Sequence, residues 1–215
     1  AIHAGTEPDS ATGAIMTPVY QTSTYVQNAP GEHKGYEYSR TLNPTRHALE
    51  KNLAALENGN YGLTFSSGLA AMDALLKIFK PGDEIISSND LYGGSYRLFT
   101  KVFTDLGLKF HFVEMDDLTK VESLINLNTK MIWIETPTNP MMNIIDIKAV
   151  SNLAKKYNIL SAVDNTFSSP YLQNPLSLGA DVVVHSITKF IAGHSDVVMG
   201  AIVLNDTVLA DKLYF

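Results

Sequence analysis

From residue 45 onward the chain alternates between segments with helical periodicity and short apolar segments typical of strands. The segment 45–57 places its leucines on one face of a helix and ends at an Asn-Gly pair. The apolar segments 84–87, 131–135 and 159–163 have the length of strands, and helical segments separate them. Strands that alternate with helices predict an α/β fold, in which helices cover both faces of a mostly parallel sheet.

Polar residues directly follow several of the predicted strands. In open α/β sheets a ligand binds beyond the carboxyl ends of the strands. The segments that the sequence places at this edge are 66–68, 89–94, 136–140, 164–166 and 186–189. We therefore expect these five segments to build the functional site.

Lys189 is predicted to lie at the end of the strand that contains the apolar segment 182–184, and two hydroxyl residues, Ser186 and Thr188, come just before it. A lysine loses its proton readily when it is desolvated, and a neutral amine can form a Schiff base with a carbonyl group. The two hydroxyls can hold a phosphate group. This combination predicts a lysine that binds pyridoxal phosphate (PLP). The alternative is a lysine whose stem packs on apolar surface while its amine reaches water.

Asp164 comes directly after the apolar segment 159–163. A carboxylate at the end of a buried strand needs a cationic or hydrogen-bond-donating partner. The protonated pyridine nitrogen of PLP would supply one, and the carboxylate would keep the ring able to accept electrons. The alternative is an aspartate that caps the next helix.

Three further residues are candidates for contact with a cofactor or a substrate. Gly68 opens a predicted helix, whose free N–H groups and positive end favour a phosphate. Tyr92 precedes two glycines that leave room beside its ring, so the ring is a candidate to stack on a planar cofactor. Arg97 is either solvated or faces an anionic substrate. The alternatives are an ordinary helix cap for Gly68 and a packed loop tyrosine for Tyr92.

Residues 1–45 show little helical periodicity and include a tyrosine-rich stretch. Long loops without regular structure are uncommon inside a compact domain, so we predict an arm that packs on a neighbouring subunit. Tyr38 and Arg40 are two residues apart, which places them on the same side of an extended segment. Together they are candidates to bind a phosphate, or else they are surface residues. Residues 46–215 form the predicted large domain.

The composition narrows the possible partners and location. The net charge of −6 argues against a nucleic acid or an anionic membrane as partner. The 215 residues include no cysteine, which excludes disulfides and cysteine metal sites, and we predict no metal site. These features, with no recognisable signal peptide, fit a cytoplasmic protein. The first residue is not Met, and the last residues read as the start of a helix, so we expect a piece of a longer polypeptide.

The motifs, taken together, resemble those of the Cys/Met-metabolism PLP enzymes. That family includes cystathionine γ-synthase, cystathionine γ-lyase, cystathionine β-lyase and methionine γ-lyase. The resemblance extends over essentially the whole chain, in the order and spacing of the family. The segments that carry it are 38–40, 43–45, 66–71, 92–94, 135–140, 164–167, 186–189 and 193–196.

The resemblance implies a type I, aspartate-aminotransferase-like PLP fold and a homotetramer of two active dimers. It also implies a smaller C-terminal domain, which is absent from this chain. The resemblance implies that Lys189 forms the Schiff base, that Asp164 pairs with the pyridine nitrogen, and that Tyr92 stacks on the ring and donates a proton. It implies phosphate contacts at Gly68, Leu69, Ser186 and Thr188, and ring contacts at Asn139 and Thr166. It also implies that Tyr38 and Arg40 contact a neighbouring subunit's phosphate, and that Arg97 and Tyr38 contact the substrate.

The resemblance further implies an enzyme that acts at the γ carbon of sulfur amino acids, as a cystathionine γ-lyase or γ-synthase. Its substrates would be cystathionine, or an activated homoserine plus cysteine. Methionine γ-lyases usually carry a cysteine where this chain has Gly94, which disfavours that activity. The alternatives are cystathionine β-lyase, O-acetylhomoserine sulfhydrylase and a cofactor-free structural subunit of the same fold. A nucleotide-binding domain would need a dinucleotide fingerprint, which the sequence lacks.

Overall fold

The structure is a computed structural model that describes residues 1–214. Within these residues the α-helices are α1 Pro44–Leu56, α2 Gly68–Leu76, α3 Gly93–Leu98, α4 Leu118–Ser123, α5 Ile147–Lys156, α6 Ser169–Leu172 and α7 Thr207–Tyr214. The strands are β1 Tyr61–Phe65, β2 Glu84–Ser88, β3 Lys109–Val113, β4 Thr129–Glu135, β5 Leu160–Asp164, β6 Val182–Ser186 and β7 Gly200–Leu204.

The strands form one sheet in the order β1-β7-β6-β5-β4-β2-β3. The strands from β6 to β3 along this order are parallel to one another, and β7 is antiparallel to both β6 and β1. The mostly parallel α/β sheet expected from the sequence is therefore confirmed. From β2 the chain continues to β3 on one side, whereas from β4 it continues to β5 on the other side. The loops that follow β2 and β4 therefore diverge at the carboxyl edge. A crevice for a ligand forms at such a point.

Apolar side chains cover both faces of the sheet. In β4, Trp133 packs with the cluster that includes α2, whereas Ile132 and Ile134 pack with the cluster that includes α5. Side chains that alternate between two buried faces make the strand a continuous apolar run. Phe99 stacks on Phe110 with ring centroids 4.7 Å apart and meets the edge of Trp133 at 5.7 Å.

The structure corrects the predicted helix over 95–106. Helix α3 ends at Leu98, and the segment Phe99–Phe103 is π-helical. Both the backbone N–H and the hydroxyl of Thr104 donate to the carbonyl oxygen of Phe99, each at 3.0 Å, which closes the wider turn. The periodicity of apolar residues does not distinguish this turn from an α-helical one.

Two other differences lie at helix ends and in a connection. The predicted helix over 69–79 ends at Leu76 in the structure, and tight turns lead from there to Pro81. The sequence predicts neither α6 nor the 3₁₀-helix Pro175–Leu178, which lie between β5 and β6. Both are four residues long and begin with a proline in the first turn, so they carry too few residues for a periodic pattern.

The N-terminal segment contains an isolated β-bridge between Thr24 and Tyr38 and otherwise turns and bends. Helix α1 begins at Pro44, where the side chain of Asn43 accepts the backbone N–H of Thr45 at 2.9 Å. Asparagine before proline is a strong start signal for a helix. No helix within residues 1–214 has the length and apolar character needed to cross a membrane.

Candidate functional site

A pocket of about 460 Å³ lies at the carboxyl edge of β4, β5 and β6, beside the start of α2. The predicted residues that line it are Gly68, Leu69, Tyr92, Asn139, Asp164, Thr166, Ser186, Thr188 and Lys189. A larger pocket of about 860 Å³ contains Lys130, Leu160 and Asp181, at the opposite edge of the sheet, and none of the predicted residues line it. The chemistry that the sequence indicates is therefore concentrated in the smaller pocket.

Asp164 is the last residue of β5 and is 6% exposed. Its Oδ1 accepts the backbone N–H of Thr166 at 3.0 Å. Burial raises the pKa of the Asp164 carboxyl above its ordinary value. A buried carboxyl of this kind gains most from a cationic partner in the pocket.

Lys189 does not end a strand, because β6 stops at Ser186 and Lys189 lies in the turn that follows. Its backbone N–H donates to the carbonyl oxygen of Ser186 at 3.2 Å. The Thr188 hydroxyl donates to the carbonyl oxygen of Met199 at 3.2 Å and accepts the N–H of the same residue at 3.0 Å. The turn that presents Lys189 is thus fixed to the segment before β7. The residue as a whole is exposed, while it lines the pocket.

Helix α2 begins in close contact with the end of β6. Ser67 caps the helix by accepting the N–H of Ala70 at 3.0 Å. A Cβ atom on Gly68 would lie 2.9 Å from the Cβ and 3.0 Å from the Cα of Ser186. Only glycine fits this contact without a shift, so the positive end of α2 is held against the pocket.

Glu135 is a pocket residue to which the sequence alone gave no role. It is the last residue of β4 and is 5% exposed. Its Oε2 accepts the N–H of Tyr92 at 2.8 Å, and its Oε1 accepts the N–H of Asn139 at 3.0 Å. Burial, with a contribution from Asp164, raises the pKa of Glu135 to about 8. Its position in the sequence could have indicated this role, because Glu135 ends an apolar strand just as Asp164 does.

Tyr92 has the room beside its ring that the sequence predicts. A Cβ atom on Gly94 would lie 2.2 Å from Cε1 of the Tyr92 ring, so a larger residue would displace the ring. Tyr92 lines the pocket, and the residue as a whole is 40% exposed.

Three predicted residues do not line the pocket. Arg97 is an exposed residue of α3. Tyr38 and Arg40 lie on the same side of the N-terminal segment, with the Arg40 guanidinium 4.9 Å from the centroid of the Tyr38 ring. Their predicted partner is a phosphate on a neighbouring subunit.

The pocket supplies groups that fit pyridoxal phosphate. It has a buried carboxyl for a cationic ring nitrogen, a helix start for a phosphate, an amine and an aromatic ring. A family sequence model described as "Cys/Met metabolism PLP-dependent enzyme" matches residues 1–215.

Known proteins match the whole chain. It is 53% identical to a probable cystathionine gamma-synthase of Herpetosiphon aurantiacus, over 100% of this chain and 67% of that protein. It is 50% identical to a cystathionine beta-lyase of Lactococcus lactis subsp. cremoris, over 100% of this chain and 56% of that protein.

A solved structure confirms the fold class. The crystal structure of cystathionine gamma-lyase from Lactobacillus plantarum, complexed with L-serine, superposes with a TM-score of 0.96 at 46% identity. The match covers 99% of this chain and 56% of that one, so this chain spans little more than half of that protein's length. The chain belongs to the Cys/Met metabolism PLP-dependent enzymes.

Proposed function

We propose that the full-length protein is a PLP-dependent trans-sulfuration enzyme that acts at the γ carbon of sulfur amino acids, as a cystathionine γ-lyase or γ-synthase. The observation that carries the proposal is the single pocket that brings Lys189, Asp164 and the start of α2 together. The names of the relatives support the same chemistry, because gamma-synthase and gamma-lyase are among them.

When bound, the cofactor supplies an electron sink for charge that develops at the substrate Cα. In our proposal Lys189 would hold the cofactor covalently, and its amine, once the substrate's amino group has displaced it, would remove the Cα proton. Asp164 keeps the ring nitrogen protonated. Tyr92 packs its ring on the cofactor, and its hydroxyl donates a proton to the departing group.

The remaining candidate residues bind and orient. We propose that the N–H groups of Gly68 and Leu69 and the hydroxyl of Ser186 hold the phosphate, and that the Thr188 hydroxyl joins them by turning its proton from the Met199 carbonyl oxygen to the phosphate. Asn139 and Thr166, which line the same pocket, contact the ring. Arg97 contacts the substrate.

The Gly68→Ala substitution is expected to weaken binding of PLP to the cofactor-free, full-length protein. The added methyl group must push the start of α2 away from Ser186, at a cost of about 1–3 kcal/mol. If that cost falls on the cofactor site, the dissociation constant for PLP rises roughly tenfold or more. Fluorescence titration with PLP measures it.

Gly93→Ala is the matched control for that substitution. A Cβ atom on Gly93 would have its nearest neighbour, Nη1 of Arg97, at an ordinary 3.6 Å. The control should therefore fold and bind PLP as the native protein does. Equal affinities for Gly68→Ala and the native protein would show that α2 does not hold the phosphate.

We propose that residues 1–45 form an arm on a neighbouring subunit and residues 46–215 the large domain of each subunit. Exposed apolar side chains in the arm, among them Ile15, Val19 and Val26, support this, and Val26 is 90% exposed. Tyr38 and Arg40 would reach the neighbour's phosphate, and Tyr38 its substrate. The assembly proposed is a homotetramer of two dimers in the cytoplasm, and light scattering of the full-length protein would reveal any smaller assembly.

Two assays of the full-length protein distinguish the activities. A γ-lyase converts cystathionine alone to cysteine, ammonia and a four-carbon keto acid. A γ-synthase forms cystathionine from an activated homoserine ester only when cysteine is added. A protein that binds no PLP and catalyses neither reaction would overturn the proposal and favour a cofactor-free structural subunit.

Cystathionine β-lyase is the second candidate, because a relative of that name is 50% identical over the whole chain. It would cleave one carbon closer and release homocysteine with a three-carbon keto acid, so the same assay identifies it. O-acetylhomoserine sulfhydrylase would instead use sulfide with the activated homoserine.

A further inference from the structure

Two carboxyl groups end neighbouring strands of the sheet at the pocket. Glu135 of β4 and Asp164 of β5 are register partners in the parallel pair. Neighbouring strands lie about 4.8 Å apart, and register partners project to the same face. Both residues line the pocket, and both are nearly buried. Two buried carboxyls in this arrangement repel each other when both are ionised, so ionising the second one costs extra free energy.

Glu135 also joins two loops that belong to different strands. One of its oxygens accepts the N–H of Tyr92, in the loop after β2, and the other accepts the N–H of Asn139, in the loop after β4. Asp90, in the loop after β2, connects the same two loops. Its Oδ2 accepts the Thr138 hydroxyl and, at 3.1 Å, the N–H of Met141, both in the loop after β4. The loops that diverge at the crevice are thus held together from both sides.

We propose that Glu135 is a positioning residue of the cofactor site, which fixes the backbone of Tyr92 and Asn139 and holds a proton so that Asp164 carries the negative charge. The inference rests on the proposed function, since it assigns Asp164 to the cofactor. It concerns a residue that holds other residues in place and does not itself react.

The charged and titratable groups around Glu135 and Asp164 determine which of the two carboxyls is ionised. Asp164 from β5 and Asp90 from the loop after β2 both disfavour a negative charge on Glu135. His185 of β6 favours the ionised form of Asp164. Lys189 lines the pocket from the turn after β6, and Tyr92 lines it from the start of α3.

The pH dependence follows from the raised pKa of Glu135, which is about 8 in the folded chain. A carboxyl whose pKa is raised by folding binds its proton more tightly in the folded state. The proton on Glu135 therefore contributes to the free energy of unfolding at low pH. That contribution is lost as the pH rises from the ordinary pKa of a glutamate toward 8.

The first test is an infrared titration of the wild-type holoenzyme, full length and labelled with ¹³C-glutamate. We expect a carboxylic-acid band that shifts with the label, is present at pH 6.5 and disappears as the pH rises through the raised pKa of Glu135. The band must be absent from the Glu135→Gln variant. A glutamate band that is missing at pH 6.5 in the wild type would overturn the proposal, and that measurement needs no variant to fold.

The second test is the affinity of the cofactor-free Glu135→Gln protein for PLP. The glutamine oxygen can accept one of the two N–H donors, but its NH₂ group opposes the other. Loss of one buried hydrogen bond predicts a dissociation constant about tenfold higher. An unchanged constant would contradict the proposed role in positioning.

Glu84→Gln is the matched control. Glu84 is 6% exposed, begins β2 at the opposite edge of the sheet and accepts Asn126 Nδ2–H at 2.8 Å. Hydrogen bonds from Asn126 and His111 lower the pKa of Glu84 to about 2. The control should lose stability but keep the native affinity for PLP and the glutamate band. If the wild type binds PLP and catalyses either of the two proposed γ-reactions while Glu135→Gln matches it in both tests, only this inference fails. A wild type without PLP would overturn the proposed function instead.

Discussion

The Lys189→Ala substitution in the full-length protein is expected to abolish covalent attachment of PLP and to lower turnover by roughly 10²–10⁴-fold or more. The reason is that our proposal gives one amine two tasks, to hold the cofactor and to move the Cα proton. Reduction with borohydride followed by mass spectrometry measures the attachment, since the cofactor mass stays on the wild-type chain and not on the variant.

The variant should still fold, because the backbone and not the Lys189 side chain fixes the turn. The N–H of Lys189 donates to Ser186, and its carbonyl oxygen accepts the N–H of Gly193 at 2.9 Å. Alanine keeps both bonds, so the free energy of unfolding of the cofactor-free protein should change by less than about 0.5 kcal/mol.

Lys148→Ala is the matched control for the loss of an amine. Lys148 is exposed on α5, outside the pocket, so turnover and attachment should match the native protein. Covalent PLP on the Lys189→Ala chain, with near-native turnover, would contradict the assignment of Lys189.

Much of the fold could be predicted because the central strands are buried on both faces. Continuous apolar runs such as Val182–Val184 have few other interpretations in a chain that alternates with helices. The antiparallel pairing of β1 with β7 could not be predicted in this way. The two strands are far apart in sequence, and no local pattern records which strands meet.

In the site too, local sequence patterns predicted some residues, whereas contacts between distant parts of the chain could not be predicted. The positions of Asp164 and of the turn at Lys189 follow from polar residues after apolar runs. The buried network behind them does not, because Glu57 reads as the end of a helix. In the structure Glu57 Oε1 lies 2.5 Å from His185 Nε2 and accepts Asn165 Nδ2–H at 2.7 Å, with both ends of the first contact fully buried. Such a network depends on the packing of α1 against β6.

The Asp164→Asn substitution is expected to lower kcat/KM for the sulfur amino acid by roughly 10²–10³-fold, comparable with the loss of one buried electrostatic partner of a transition state. Asparagine keeps an oxygen that can accept the Thr166 N–H but carries no charge for the ring nitrogen. Steady-state kinetics of the full-length protein at saturating PLP measures the effect.

The same substitution should separate function from stability. Burial raises the pKa of Asp164, so the folded cofactor-free chain binds a proton there more tightly than the unfolded chain. The contribution of Asp164 to stability is then present at low pH and is lost as the pH rises through the raised value. Asparagine removes that loss, so the cofactor-free variant at pH 7 should be at least as stable as the native protein to urea.

Asp181→Asn is the control at the other end of the same strands. Asp181 Oδ2 accepts both the N–H and the hydroxyl of Ser161 at 2.8 Å, at the amino edge of β5 and β6. This variant should lose stability and keep the native kcat/KM, the opposite of Asp164→Asn. Native kinetics in Asp164→Asn would mean that the ring nitrogen does not depend on this carboxylate. The buried carboxyl would then need another explanation, and its register partner Glu135 on β4 is the next residue to test.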